Sequence, residues 1–254
     1  MNVENMEKRL REIPGTVSFW CEDTADGTCV AYQAQTPVVA ASVIKLCVMA
    51  EAFRRREEGT LDFSEPVTIR PEDRLPSCGA LTYLHEGITV TLGDLVTLMI
   101  ILSDNTATNL LIDRLGIEPV NRFMREIGLS EQTQLRRKLF MPELSARGIE
   151  NTVTAADMAL LLKRILNRQL VNEKVSDEML RLLGQQRLNG KMPFFLSPKG
   201  IKTAHKTGED QGITHDVGII LTDAPKIFCF LSEKTDVPAA ERALQDLALM
   251  AVED

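Results

Sequence analysis

No uncharged apolar stretch in the 254-residue sequence comes near the roughly 18 residues that mark a membrane-spanning helix, and the longest candidate, Leu95 to Leu102, is far too short. Residues Met1 to Leu10 are polar and lack the apolar core of a signal peptide, so the expectation is a cytoplasmic protein unless an export segment has been removed. There is no basic block, and the net charge of -7 makes nucleic acid and anionic membrane surfaces poor partners. The five cysteines contain no C-x-x-C pair, so no zinc site is suggested, and neither metal nor cofactor is expected. Cys21 and Cys29 flank the turn signal Asp26-Gly27; they are read either as free thiols of a reduced compartment or as residues facing across two strands.

What is present is ordinary globular material, with 44% hydrophobic and 26% charged residues, enough for one large domain or two small ones. Hydrophobic periodicity predicts a helix over Asn2 to Ile13, ended by Pro14-Gly15, and then a hairpin of Thr16 to Cys21 and Thr28 to Gln33. A helix carrying Ser42 runs to about Glu58, and Leu61 to Gly87, punctuated by Pro and Gly, reads as irregular cover. Thr91 with Asp94 caps an apolar helix to Leu102. Asp104 caps a helix to Leu115, and Pro119 opens one to Ile127. Leu129 to Thr152 lacks periodicity and is either a functional loop or a disordered one. Thr154 and Ser176 cap two further helices. Ile201 to Thr207, Val217 to Leu221 and Ile227 to Leu231 read as strands, and Pro238 to Val252 as a closing helix. There is no internal repeat and no linker, so one domain spans residues 1–254.

Three short motifs carry chemistry. Ser42 and Lys45 lie one helical turn apart in the apolar run Ala41 to Met49, where a lysine stripped of water can accept a serine proton. Such an S-x-x-K pair arises by chance about once in a chain this long. A serine at a helix start also has backbone N–H groups beside its own oxygen, which suits a developing oxyanion. Ser103-Asp104-Asn105 falls between two helices, where a second hydroxyl can relay a proton and an amide can hold substrate and lysine. Lys206-Thr207-Gly208 ends a predicted strand. Lys206 can offer charge to a carboxylate, Gly208 allows close backbone approach, and Glu209 N–H can complete an oxyanion hole.

In this order, S-x-x-K, S-D-N and K-T-G form the signature of class A β-lactamases and penicillin-binding proteins, and the chain resembles that superfamily over most of its length. The resemblance implies an α+β fold: a five-stranded antiparallel sheet from both chain ends, approximately 1–40 and 200–254, flanked by helices, beside an all-helical part at approximately 60–190. It also implies that Ser42 is the acylated nucleophile, Lys45 its base and Ser103 the proton shuttle. Asn105 would contact substrate and Lys45. Lys206 with Thr207 would bind the carboxylate, and the N–H groups of Ser42 and Glu209 would form the oxyanion hole. The implied partner is a small-molecule β-lactam or acyl-peptide, met by a monomer.

The sequence departs from that family in one motif. Where relatives carry E-P-E-L-N, with the first glutamate activating the deacylating water, this chain has Met141-Pro142-Glu143-Leu144-Ser145. A thioether takes no proton from water, so slow deacylation is expected. Glu143 is the available substitute, either as water base or as a structural group. No arginine lies between Lys206 and Lys226 to help bind a carboxylate; His215 could serve only when protonated. His85 and His205 are read as structural or surface residues. The readings left open are a slow serine β-lactamase, a penicillin-binding, peptidase- or esterase-like enzyme, and a β-lactam sensor or binding module.

Overall fold

The computed structural model describes residues 1–253. Its elements in chain order are α1 (Val3–Arg11), β1 (Thr16–Asp23), β2 (Cys29–Tyr32), β3 (Val38–Val39), a 3-10 turn (Ala41–Ile44) and α2 (Lys45–Glu57). Next come β4 (Pro66–Thr68), β5 (Thr89–Thr91), α3 (Leu92–Ile101), α4 (Asn105–Leu115), α5 (Ile117–Glu126), α6 (Pro142–Ser145) and β6 (Thr152–Val153). The chain ends with α7 (Ala155–Leu166), α8 (Glu173–Leu183), β7 (Lys202–Asp210), β8 (Ile213–Leu221), β9 (Lys226–Glu233) and α9 (Val237–Met250).

The α+β architecture has a five-stranded antiparallel sheet in the order β2-β1-β9-β8-β7, so both chain ends supply its strands and β7 is an edge. Strand β9 shows why its sequence is a continuous apolar run. Ile227, Cys229 and Leu231 enter the core shared with the helical part, while Phe228 and Phe230 enter a second core under α1 and α9. With both faces covered, period-two side chains are apolar on both sides. Phe19 meets Phe228 edge-on at 5.4 Å in that second core, together with Met6 and Leu10 of α1.

Several local expectations change. Cys21 pairs with Val30 and Glu22 with Cys29, so the two cysteines project to opposite faces of the hairpin, one buried and one exposed, and both are free thiols. Helix α5 begins at Ile117 behind Gly116 (φ 82°), leaving Pro119 in its first turn. The cap of α8 is Asn172, whose side chain accepts from Val175 N; Ser176 is buried and bonds both backbone groups of Leu170. The segment read as irregular contains β4, which pairs with β5. Strands β7 and β8 run on to a tight turn at Gln211-Gly212, with Asp210 opposite Ile213. The K-T-G residues therefore sit within an edge strand. Hydropathy hid the start of β8, because Thr214, His215 and Asp216 are polar yet fully buried. No helix among the described residues is long and apolar enough to cross a membrane.

Candidate active site

A cleft of about 770 Å³ opens where the helical part meets the edge of the sheet. Its lining includes Ser42 and Asn105, Ser77 and Cys78, the stretch Leu139 to Pro142 with Ser145, and Glu209 with Asp210. Of the eight non-glycine residues with positive φ among the described residues, Ala41, Ser77 and Phe140 line this cleft and Ser103 lies just behind it. Such backbone costs of order 1–3 kcal/mol each, and the packing around a site must hold it in place.

Ser42 is half-buried on the 3-10 turn, which packs against β7. Helix α2 begins only at Lys45, whose side chain is completely buried. Lys45 Nζ donates to Ser103 O (2.7 Å), Ser103 Oγ (3.0 Å) and Asn105 Oδ1 (2.9 Å), so it is directed at the S-D-N segment. Lys206, also fully buried, donates to the same Ser103 Oγ at 3.0 Å and to Thr207 O at 2.7 Å. One hydroxyl thus bridges two buried amines. Burial, reinforced by the charge of Lys206, pushes Lys45 well below the ordinary lysine range. Burial also lowers Lys206, to about 7, against an opposing pull from Asp216.

Asp104 does more than cap α4. Its Oδ1 accepts from Ala107 N at 2.9 Å, while Oδ2 accepts from Ala80 N (2.7 Å) and Leu81 N (2.9 Å). One carboxylate therefore ties the S-D-N corner to the loop carrying Ser77 and Cys78. Gly79 allows this approach: at φ 120° it sits where a Cβ would lie 2.3 Å from the Asp104 carboxylate. Gly208 is likewise confined, since a Cβ there would meet His215 at 3.1 Å and Val43 at 3.2 Å, beside the serine turn.

The long loop after α5 is ordered by three asparagines, each holding one loop residue by both its N–H and its C=O: Asn121 on Leu135, Asn109 on Leu139 and Asn151 on Arg137. The Arg137 guanidinium is consumed by Ile149 O, Lys138 O and the Glu150 carboxylate. Met141 and Ser145 face the cleft, whereas Glu143 is exposed on α6 and forms no part of the wall. The structure brings Ser42, Lys45, Ser103, Asn105, Lys206, Thr207, Gly208 and Glu209 to one place, and leaves Glu143 outside it.

His215 is buried with both nitrogens engaged: Nε2 lies 2.8 Å from Val39 O, and Nδ1 accepts from Ser232 N at 3.0 Å. Burial depresses it to about 4, so it is neutral and unfit to bind a carboxylate by charge. His205, on β7, is buried against Asp216 (2.8 Å) and Asn189 (3.1 Å), a structural position. Sequence reading missed Lys191, which is buried against Gly208 O, because a lone lysine in a loop carries no pattern.

Comparison with known proteins finds the same fold. A β-lactamase from Sphaerobacter thermophilus superposes with a TM-score of 0.91 at 28% identity, covering 99% of this chain and 97% of that one. An ancestral class A β-lactamase gives 0.86 at 26% identity, covering 98% of each chain. A mutant of PBP-A, solved as an acyl-enzyme complex with penicillin G, gives 0.85 at 25% identity, covering 97% and 92%. The model of the beta-lactamase enzyme family matches residues 3–254, and the chain belongs to that family.

Proposed function

We propose that the protein is a serine hydrolase that β-lactams, or chemically similar acyl-peptides, acylate on Ser42, and that it releases the acyl group slowly. The observation that carries this reading is the convergence of Lys45 and Lys206 on Ser103 Oγ. A neutral Lys45 takes the Ser42 proton as Oγ adds to the carbonyl carbon. The N–H groups of Ser42 and Glu209 receive the oxyanion. Ser103 then passes a proton to the leaving nitrogen, resupplied through Lys45, while Lys206 and Thr207 hold the carboxylate and Asn105 the acyl amide. The acyl-enzyme that the PBP-A mutant forms with penicillin G supports the same first half-reaction here.

Slow release follows from the part of the cleft wall made by Leu139, Phe140, Met141 and Pro142, where the carboxylate of Glu150 is spent on Arg137. Glu143 is given no catalytic part. That apolar wall favours a penicillin-binding or sensor-like behaviour as the second reading. Mixing the protein with penicillin G and following its intact mass tests both. A one-to-one adduct that persists, and that is lost in Ser42→Ala, is expected. Met141→Glu, which places a carboxylate in the wall, is expected to shorten adduct lifetime by about 10²-fold or more. Absence of any adduct would remove the acylation reading, and rapid turnover by the unmodified protein would remove the claim of slow release.

A further inference from the structure

Lys191 lies on the loop between α8 and β7 and takes no part in the chemistry above. It is buried, and its ammonium is fully engaged: Gly208 O at 3.0 Å, His215 O at 3.4 Å and Glu209 Oε1 at 3.0 Å. The backbone on either side is clamped, with Gln245 Nε2 donating to Gly190 O at 2.9 Å and Met192 N donating to Asp216 Oδ2 at 3.0 Å. Asp216 is in turn fixed by His205. A flexible, entropy-rich side chain is thus delivered to one point by contacts on both of its neighbours.

That point matters because Gly208 O and Glu209 N–H belong to a single peptide group. In a trans peptide the carbonyl and the N–H point in opposite directions. Since β7 is the edge strand and Glu209 lines the cleft, a carbonyl turned inward to Lys191 turns the N–H outward to the cleft. A cation on the carbonyl also draws electron density through the amide and makes its N–H a stronger donor.

We propose that Lys191 is a positioning residue for acylation: by binding Gly208 O, it orients and polarises the Gly208–Glu209 peptide whose N–H receives the oxyanion. This rests on the reading of Ser42 as the acylated serine and of Glu209 N–H as an oxyanion donor. Glu209 acts as a brake in this arrangement, because its carboxylate competes with the peptide carbonyl for the same ammonium.

The test combines single-turnover acylation by penicillin G with infrared spectroscopy of the acyl-enzyme, using penicillin isotope-labelled at its lactam carbonyl. Lys191→Met keeps most of the apolar stem and removes the charge. It is expected to slow the acylation step by about tenfold or more, with little change in the concentration dependence, and to move the ester carbonyl band to higher wavenumber. Lys191→Arg, which restores a donor cation, is expected to recover most of the rate. Glu209→Gln alters an exposed side chain and is expected to move the band to lower wavenumber, which keeps the test decisive even where Lys191→Met does not fold. A carbonyl band unmoved in a folded Lys191→Met, or unmoved in Glu209→Gln, would overturn the proposal. Failure of the unmodified protein to form any acyl-enzyme would instead overturn the reading on which it rests.

Discussion

Lys45 and Lys206 are both buried and donate to one hydroxyl, and the charge of Lys206 adds to burial in lowering Lys45. Their tasks in the proposed reaction are opposite. Lys45 must be neutral to accept a proton, so acylation rises as pH rises through its lowered range. Lys206 must be charged to hold a carboxylate, so acylation falls as pH rises through about 7. A bell-shaped profile of the second-order acylation rate is therefore expected. In Lys206→Arg the falling limb is expected to move out of the accessible range, because a guanidinium does not titrate there. A limb near neutrality that survives this substitution would show that another group is responsible.

At the scale of elements, the site is assembled by connectors held through single polar side chains. Asp104 joins the start of α4 to the backbone of Ala80 and Leu81, and so fixes one wall of the cleft. Asp104→Ala leaves three backbone donors without their acceptor and is expected to cost about 2–3 kcal/mol, measured by denaturant unfolding. Amide exchange is expected to quicken selectively at Ala80, Leu81 and Ala107. Uniform acceleration across the chain would show instead that the corner and the loop are not joined through this carboxylate. The loop of Leu129 to Thr152 follows the same logic, with Asn109, Asn121 and Asn151 standing in for a neighbouring strand. Its lack of periodicity in the sequence reflects structure held by side-chain amides instead of by a repeating apolar face.

On the scale of the whole molecule, the sheet separates two cores, and only the one shared with the helical part abuts the cleft. The core beneath α1 and α9 lies on the far face, where Leu10 is buried among Phe19, Phe228 and Phe230. Leu10→Ala is expected to cost about 2–5 kcal/mol of stability while leaving the acylation rate of the folded protein essentially unchanged. A fall in acylation rate without unfolding would show that the two faces are mechanically coupled through β8 and β9.

Residue type and spacing alone determined the elements with strong periodicity and the three motifs, because S-x-x-K, S-D-N and K-T-G are local patterns whose chemistry can be named without coordinates. The Asp104 cap was legible for the same reason. Only the tertiary structure decided which groups those motifs act upon. It directed Lys45 at Ser103, neutralised His215 by burial, placed Met141 in the cleft wall with Glu143 outside it, and set Lys191 behind the Gly208 carbonyl. These outcomes depend on burial and on partners more than a dozen residues away in sequence. A linear pattern encodes neither quantity.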